Sequence, residues 1–284
     1  VRRLTAKIFA KATGLTGYVA LHRVPPEEFA WLDLPEREDL FNARDIGGVP
    51  TFLTQARDAG LSVYASPWQL EESERWQTSH AFLKREHPDL TFLYATKLDA
   101  RLHSHGNRPD VVEQTLDEIG GHIERARESV ADDGADLTTY VVGDHGMADV
   151  RREVDPRPFL RLTSLDVFVD STMLRVWGSE SELERARADI ERRGWPGRWI
   201  DDAGLRDRRA AVPGAPFGKA FFLLDEGVIF VPSYVGGSIR GMHGYDLSTG
   251  SARAALASDR PIPKDIVEIA DIAGAVRERL GLDP

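Results

Sequence analysis

The sequence predicts an α/β fold organised on a largely parallel sheet, and three observations predict it. Short runs rich in Val, Leu, Tyr, Phe and Thr at 61–65, 90–95 and 138–142 read as strands, the last two buried. Segments with helical spacing of apolar residues alternate with them, and Gly60, Pro88 and Gly134 punctuate their ends. The last two strands each run into a stretch carrying Asp and His. Strand, helix, strand in this order calls for a parallel sheet, with both Asp/His stretches at one edge beyond the carboxyl ends of the strands.

In chain order, residues 4–12 suit a short basic helix ending near Gly14, and Val24-Pro25-Pro26 breaks regular structure. Residues 31–45 alternate acidic and apolar positions irregularly, as an ordered surface segment would. Phe52, Leu53 and Ala56 sit at helical spacing, Gly60 ends that helix, and 61–65 is the next strand. A helix over 69–85 stops before Pro88, and 90–95 (LTFLYA) is a second strand. The stretch 97–106, with Asp99, His103 and His105, reads as a loop. After Pro109, Val112, Leu116, Ile119, Ile123 and Val130 mark one face of a long helix. Thr138 to Val142 then delivers Gly143-Asp144-His145-Gly146.

Between about 154 and 225 the character changes to a small α+β insert. Val167-Phe168-Val169 and 174–177 are strand candidates, and Ser179 with Glu182 forms a capping box for a helix through Arg193. Arg192 to Trp199 mixes basic and aromatic residues, which in an acidic protein reads as a turn with packed Trp. Residues 219–224 and 228–231 are strands that a turn at Asp225-Glu226-Gly227 would join as a hairpin. Residues 236–246 form a glycine-rich loop, and 266–280 an amphipathic helix with Ile269, Ile272, Ala273, Val276 and Leu280 inward. There is no internal repeat.

The totals restrict the chemistry. A chain of 284 residues, 42% hydrophobic and 29% charged, suits one large domain carrying a smaller insert. Its net charge of −10 gives no general attraction to nucleic acid or an anionic membrane. Cysteine is absent, so disulfides, thiolate ligands and cysteine nucleophiles are excluded, and any metal must use Asp, Glu and His. No apolar run approaches the 18 or so residues of a membrane span. A soluble, cytoplasmic protein is expected on this composition; the opening Val1, where Met would stand, leaves a processed or partial chain open.

Three glycine-flanked stretches therefore offer metal-type side chains: Asp99 with His103, Asp144 with His145, and His243 near Asp246. Carboxylates supply charge and neutral imidazoles a borderline-soft nitrogen, the pairing that divalent metals take. Alone, each has a plain reading, since Asp99 and His103 could cap the following helix and Asp246 suits holding its own loop. Together they favour ligands.

Asp99-x3-His103-x2-Gly106, then Gly143-Asp144-His145-Gly146-Met147, then Gly241-Met242-His243-Gly244-Tyr245-Asp246 resemble, in that order, the metal-binding motifs of the alkaline phosphatase superfamily. The nearest branch is the type I phosphodiesterase and nucleotide pyrophosphatase group, and the likeness runs from about residue 49 to the end. It implies a three-layer α/β/α core, with Asp99, His103 and His243 on one divalent metal and Asp144 and His145 on a second. Zinc is the usual pair in that branch, and the N/O donor set also admits manganese or iron. The implied activity is metal-dependent hydrolysis of phosphate diesters or related sulfate esters in a small-molecule substrate, to which His105 is a candidate contact. A phosphotransferase or mutase of the same superfamily is the alternative, and a metal-binding domain without turnover is the other class. Two departures stand out: Gly143 where the branch commonly has Ser, and Leu102 where a Gly often precedes the His. The branch's Thr or Ser nucleophile, and a further Asp ligand, have no match here. Thr13 and Thr16 follow no strand ending in Asp and are not assigned. The expectation is a chain lacking the first part of the domain, crippled in catalysis on its own.

Overall fold

The computed structural model describes residues 22–24, 41–46, 48–130, 136–214, 217–264 and 266–282. The helix expected over 4–12, the break at Pro25 and Pro26, most of 31–45, Thr13, Thr16 and Gly134 lie outside them. In chain order the elements are β1 (Asp45–Ile46), β2 (Val49–Pro50), α1 (Phe52–Asp58), β3 (Val63–Ala65), α2 (Glu72–Glu86), β4 (Leu90–Phe92), α3 (Lys97–His105) and α4 (Pro109–Val130). Then come β5 (Tyr140–Gly143), β6 (Ala148–Asp149), β7 (Arg152–Val154), α5 (Arg157–Leu160), β8 (Asp166–Val169), β9 (Met173–Trp177) and α6 (Glu180–Arg193). The chain continues through β10 (Gly197–Ile200), α7 (Asp202–Asp207), β11 (Ala220–Leu224), β12 (Val228–Phe230), β13 (Gly241–Met242), β14 (Ala255–Ser258) and α8 (Asp271–Arg279). Two compact units result. The first is built mainly from Leu102–Asn107 and Gly146–Arg253, the second from Glu38–Arg101, Arg108–His145 and Ala254–Pro284. No described helix is long and apolar enough to cross a membrane.

In the second unit, the Thr51 hydroxyl accepts from the Thr54 N–H at 3.1 Å and starts α1. Gly60, at φ +84°, turns the chain left-handed into β3. β3 and β4 pair in parallel, Tyr64 opposite Thr91, as the strand–helix–strand order requires. Asp89 pins their entry by accepting from the Ser62 N–H at 2.8 Å and hydroxyl at 2.6 Å. Tyr64, Leu83 and Ala126 form the core here, with Phe82, Leu93 and Val130 packed on it.

Three expectations need correction in this unit. Along α4 the buried positions are Thr115 and Ala126, while Leu116 is half exposed, so the inward face is rotated from the apolar stripe read in the sequence. The reason is that the face contains Thr115 and His122, which a hydrophobic pattern passes over. β5 is not a buried strand: Val141 and Val142 are exposed, and it pairs antiparallel with β14, Val142 opposite Leu256. The C-terminal helix begins only at Asp271, with Ile269 exposed, because Asp271 accepts from the Val267 and Glu268 N–H groups (2.9 and 2.7 Å) and holds the preceding turn out of the helix.

Between α2 and α4 lies a ring stack. Trp76 lies over His122 with centroids 4.6 Å apart and planes at 2°. His80 Nε2 is 3.3 Å from His122 Nδ1, and Arg125 donates to the same Nδ1 at 2.8 Å. Burial lowers both histidine pKa values and Arg125 lowers them further; for His122, His80 and Lys97 act in the same direction and Glu72 opposes. Imidazoles with depressed folded pKa leave the unfolded chain binding more protons, so stability is full above the unfolded value of about 6.5 and is lost as pH falls below it. Carboxylates enter only near pH ~4. The urea midpoint is therefore expected to fall between pH 7.5 and 5.5, and the fall to flatten in the H80Q/H122Q double variant. An equally steep fall in the double variant would assign the effect elsewhere.

The first unit holds a four-stranded antiparallel sheet in the order β10-β11-β9-β8, with Phe222 opposite Leu174 and Trp199. α6 carries the expected capping box between Ser179 and Glu182 and ends at Gly194, φ +59°. Leu183, Ala186 and Ile190 of α6 join Val167, Val169, Leu174, Val176, Phe222 and Phe230 in one core. Trp195 meets the rings of Phe159 and Phe230 at 5.8 and 5.3 Å, the packed Trp expected after this helix. β10 was not legible, since Gly197 opens it; a Cβ there would lie 2.4 Å from the Leu223 carbonyl, so the strand requires a glycine that weakens strand propensity.

The hairpin expected at 225–227 does not form. A turn is present, with the Val228 N–H donating to Asp225 O at 3.0 Å, but β11 stays in the four-stranded sheet and β12 pairs in parallel with β7. The turn's polar groups are taken by other strands: Asp225 N–H by Pro196 O at 3.1 Å, and Gly227 O by the Arg151 and Arg152 N–H groups at 2.8 and 3.2 Å. β12 is buried throughout, as fits a parallel strand.

Candidate metal centre

Asp99 and His103 stand on α3, one helical turn apart, and not in a loop as the sequence suggested. Spacing i, i+4 puts both side chains on one face. Within the second unit α3 is braced on α4: Arg101 donates to Thr115 Oγ1 at 2.7 Å and pairs with Glu118 at 3.2 Å, and Lys97 pairs with the same carboxylate. Glycine-poor and rich in Leu, Lys, Ala and Arg, 97–103 favours a helix once residue 96 has turned it.

His103 belongs to the first unit, and so does His243, which follows β13. Their ring centroids are 5.1 Å apart with planes tilted by 45°. His103 Nδ1 lies 2.9 Å from Gly241 O. A carbonyl only accepts, so Nδ1 carries the proton and Nε2 the lone pair of the neutral ring, the tautomer fixing common to metal-bound histidines. The same segment is tied twice more, by the Arg240 N–H on His103 O at 2.8 Å and by the β13–β6 ladder that sets Gly241 opposite Asp149. Gly241 is obligatory at that crossing, because a Cβ would fall 2.4 Å from Leu102 O and 3.0 Å from Met147 Cγ. At the end of α3, Gly106 at φ +75° closes the helix and Asn107 locks it, donating from N to Asp149 Oδ1 and from Nδ2 to Met147 O, both at 2.6 Å.

In the second unit, a carboxylate oxygen of Asp99 and a ring nitrogen of His145 lie within 4.8 Å of one another. Asp144, on the loop that β5 delivers, places Oδ1 3.7 Å from His145 Nε2 and is largely exposed. Two carboxylates and an imidazole are thus gathered in one unit, and two imidazoles in the other. The donors are nitrogen and oxygen throughout, a set that fits a divalent ion of the zinc, manganese or iron type.

Asp246 is the structural residue the sequence suggested. Burial alone would raise its pKa, but the Ser248 hydroxyl and N–H (2.6 and 3.0 Å), Arg208 and Arg198 hold it well below the usual carboxylate range. His105 ends α3 exposed. Beside His103 the first unit has a cleft of about 660 Å³ lined also by Ser104, Glu153, Ser238, Ile239 and Arg240. The Gly241 carbonyl and the Asp149–Asn107 tie escaped sequence reasoning; the only local signal was the small residue required at each crossing.

The profile of the type I phosphodiesterase/nucleotide pyrophosphatase family matches residues 16–212. Human ectonucleotide pyrophosphatase/phosphodiesterase 5 is 14% identical with a TM-score of 0.67, covering 83% of this chain and 71% of that one. The murine counterpart is 15% identical with a TM-score of 0.69, over 87% of this chain and 74% of that one, and an inactive threonine-to-alanine form of it in complex with AMP aligns equally well. These likenesses show the fold, a mixed α/β architecture of alkaline phosphatase type. No curated protein matches the sequence.

Proposed function

Since the chain belongs to the type I phosphodiesterase/nucleotide pyrophosphatase family, we propose that it is a metal-dependent hydrolase of phosphate diesters with nucleotide-type esters as its substrate class. The observation that carries the metal reading is the His103 and His243 ring pair, with His103 Nδ1 committed to Gly241 O. Asp99, His103 and His243 are assigned to one divalent ion, Asp144 and His145 to a second, zinc being the first choice. Bound there, such a pair supplies Lewis-acid polarisation of the phosphoryl group and stabilisation of the leaving oxygen. The chain's own contributions are to hold the His103 imidazole in one tautomer and to offer the leaving group an open cleft. His105, exposed at the end of the same helix, is the candidate contact to the anionic ester. AMP bound by the murine relative supports a nucleotide ester over a sulfate ester.

The test is hydrolysis of bis(4-nitrophenyl) phosphate by the purified chain, before and after chelation and after zinc is restored. With no Thr or Ser nucleophile assigned in this chain, turnover is expected to be slow, lost on chelation and recovered with zinc, with 4-nitrophenyl sulfate turned over more slowly still. Turnover indifferent to chelator would end the metal reading. Zinc-dependent stabilisation without turnover under any metal would favour the non-catalytic metal-binding alternative.

A further inference from the structure

The side chain that starts the ligand-bearing helix α3 comes from another helix. Glu72, in the first turn of α2, directs one oxygen at three donors of the β4–α3 junction: Thr96 N at 2.5 Å, Lys97 N at 2.6 Å and Thr96 Oγ1 at 3.0 Å. The Ala100 N–H donates to Thr96 O at 3.1 Å, so Thr96 occupies the cap position and Lys97 the first helical one. These are among the N–H groups that a helix start leaves without internal acceptors, and they form the positive end of its dipole. A carboxylate is the acceptor that such an end prefers. Thr96 would ordinarily turn its hydroxyl inward onto the helix, but it donates to Glu72 instead.

Glu72 is itself held. Trp76, one turn along α2, offers Nε1 at 3.4 Å to its other oxygen, and Trp76 is fixed by the His122 stack. From the same face of α2, buried Arg75 donates to Tyr94 O at 2.8 Å and to Trp68 O and Leu70 O at 3.1 and 2.9 Å. Tyr94 N–H in turn donates to Ser66 Oγ at 2.9 Å. The first turn of α2 therefore grips residues 94–97 at both backbone ends, two residues before Asp99.

We propose that Glu72 is a positioning residue for the metal centre. By capping α3 from outside, it fixes where the first turn begins and so where the Asp99 carboxylate is presented. The inference rests on the assignment of Asp99 as a metal ligand and adds to it a residue that touches no metal. Without the Glu72 carboxylate, the two N–H groups revert to water, the first turn of α3 frays, and Asp99 is presented by a mobile backbone. Asp99 then loses preorganisation, which lowers affinity for the ion without removing any donor.

The experiment measures zinc affinity of the full chain by competition with a chromophoric chelator, for the parent and for E72A, E72Q and D99N, alongside urea unfolding without metal. E72A is expected to weaken zinc about 10-fold or more, in the range seen for residues that orient ligands from behind. E72Q retains a carbonyl acceptor and should recover most of that loss, remaining about 3-fold weaker. A merely structural role would lower the urea midpoint and leave zinc affinity of the folded chain at the parental value. Parental affinity in E72A, with D99N weakened, overturns the positioning role and leaves Asp99 as a ligand. Parental affinity in D99N overturns the ligand assignment and the positioning role with it. Should E72A fail to fold, E72Q decides: parental zinc affinity there overturns the proposal.

Discussion

Replacing Gly241 by alanine is expected to destabilise the chain by about 2–3 kcal/mol, at the upper end of the range for forcing extra volume into a packed site. The added Cβ would stand 2.4 Å from the Leu102 carbonyl oxygen, and neither that backbone atom nor the β13–β6 ladder can move without breaking bonds already made. The Met147 side chain, 3.0 Å away, can shift; the carbonyl is the obstacle. Because the Gly241 carbonyl also holds His103 Nδ1, the same substitution should loosen the imidazole and weaken zinc by about 10-fold. Gly250→Ala is the control: its Cβ would meet nothing within 4 Å, and its stability should stay within about 0.5 kcal/mol of the parent. Equal urea midpoints for G241A and G250A would mean that the close crossing does not constrain β13.

That crossing also shows why part of the site was legible and part was not. Asp99, His103, Asp144, His145 and His243 stood out as candidates by residue type, because few side chains bind divalent ions and cysteine is absent. What orients them did not. The partner of His103 is a backbone carbonyl, which has no residue type, and the partner of the α3 start is Glu72, one acid among several in the helix read over 69–85. Contacts of this kind depend on which segments meet, and sequence spacing carries that only when the segments are neighbours.

The same distinction runs through the fold. The α1–β3–α2–β4 succession and the α6 capping box were legible, since caps, glycine stops and apolar periods are local. Some of the failures are choices of partner. β5 has the composition of a buried strand but lies exposed against β14, and β11 and β12 flank a good turn yet join different sheets. α3 has a helix-forming composition, but its Asp and His residues also suit a loop after a strand, and the loop reading was wrong. The inward face of α4 was misplaced because a His and a Thr, here doing the work of ring stacking and of bonding Arg101, count as polar in any hydrophobic pattern.

The larger effect on metal binding should come from His243→Ala, which removes a proposed ligand and leaves the fold around it. Unlike Gly241, His243 makes no ladder bond, and the ring it faces, His103, keeps its own tie to Gly241 O. Loss of one of three donors is expected to weaken zinc at least 100-fold, beyond the roughly 10–100-fold lost when only an orienting partner is removed. Linkage turns this into a stability measurement. At a free zinc concentration 100 times the parental Kd, binding to the native state adds about 2.7 kcal/mol to the parent. A variant with a 100-fold higher Kd gains only about 0.4 kcal/mol at the same concentration by the same relation. Urea unfolding with and without zinc should therefore separate the two chains by about 2 kcal/mol in the presence of metal, and by much less without it. His105→Ala, on the exposed end of α3, should keep the full zinc increment. A zinc increment in H243A equal to the parent's would remove His243 from the metal centre, and with it the ring pair on which the functional reading stands.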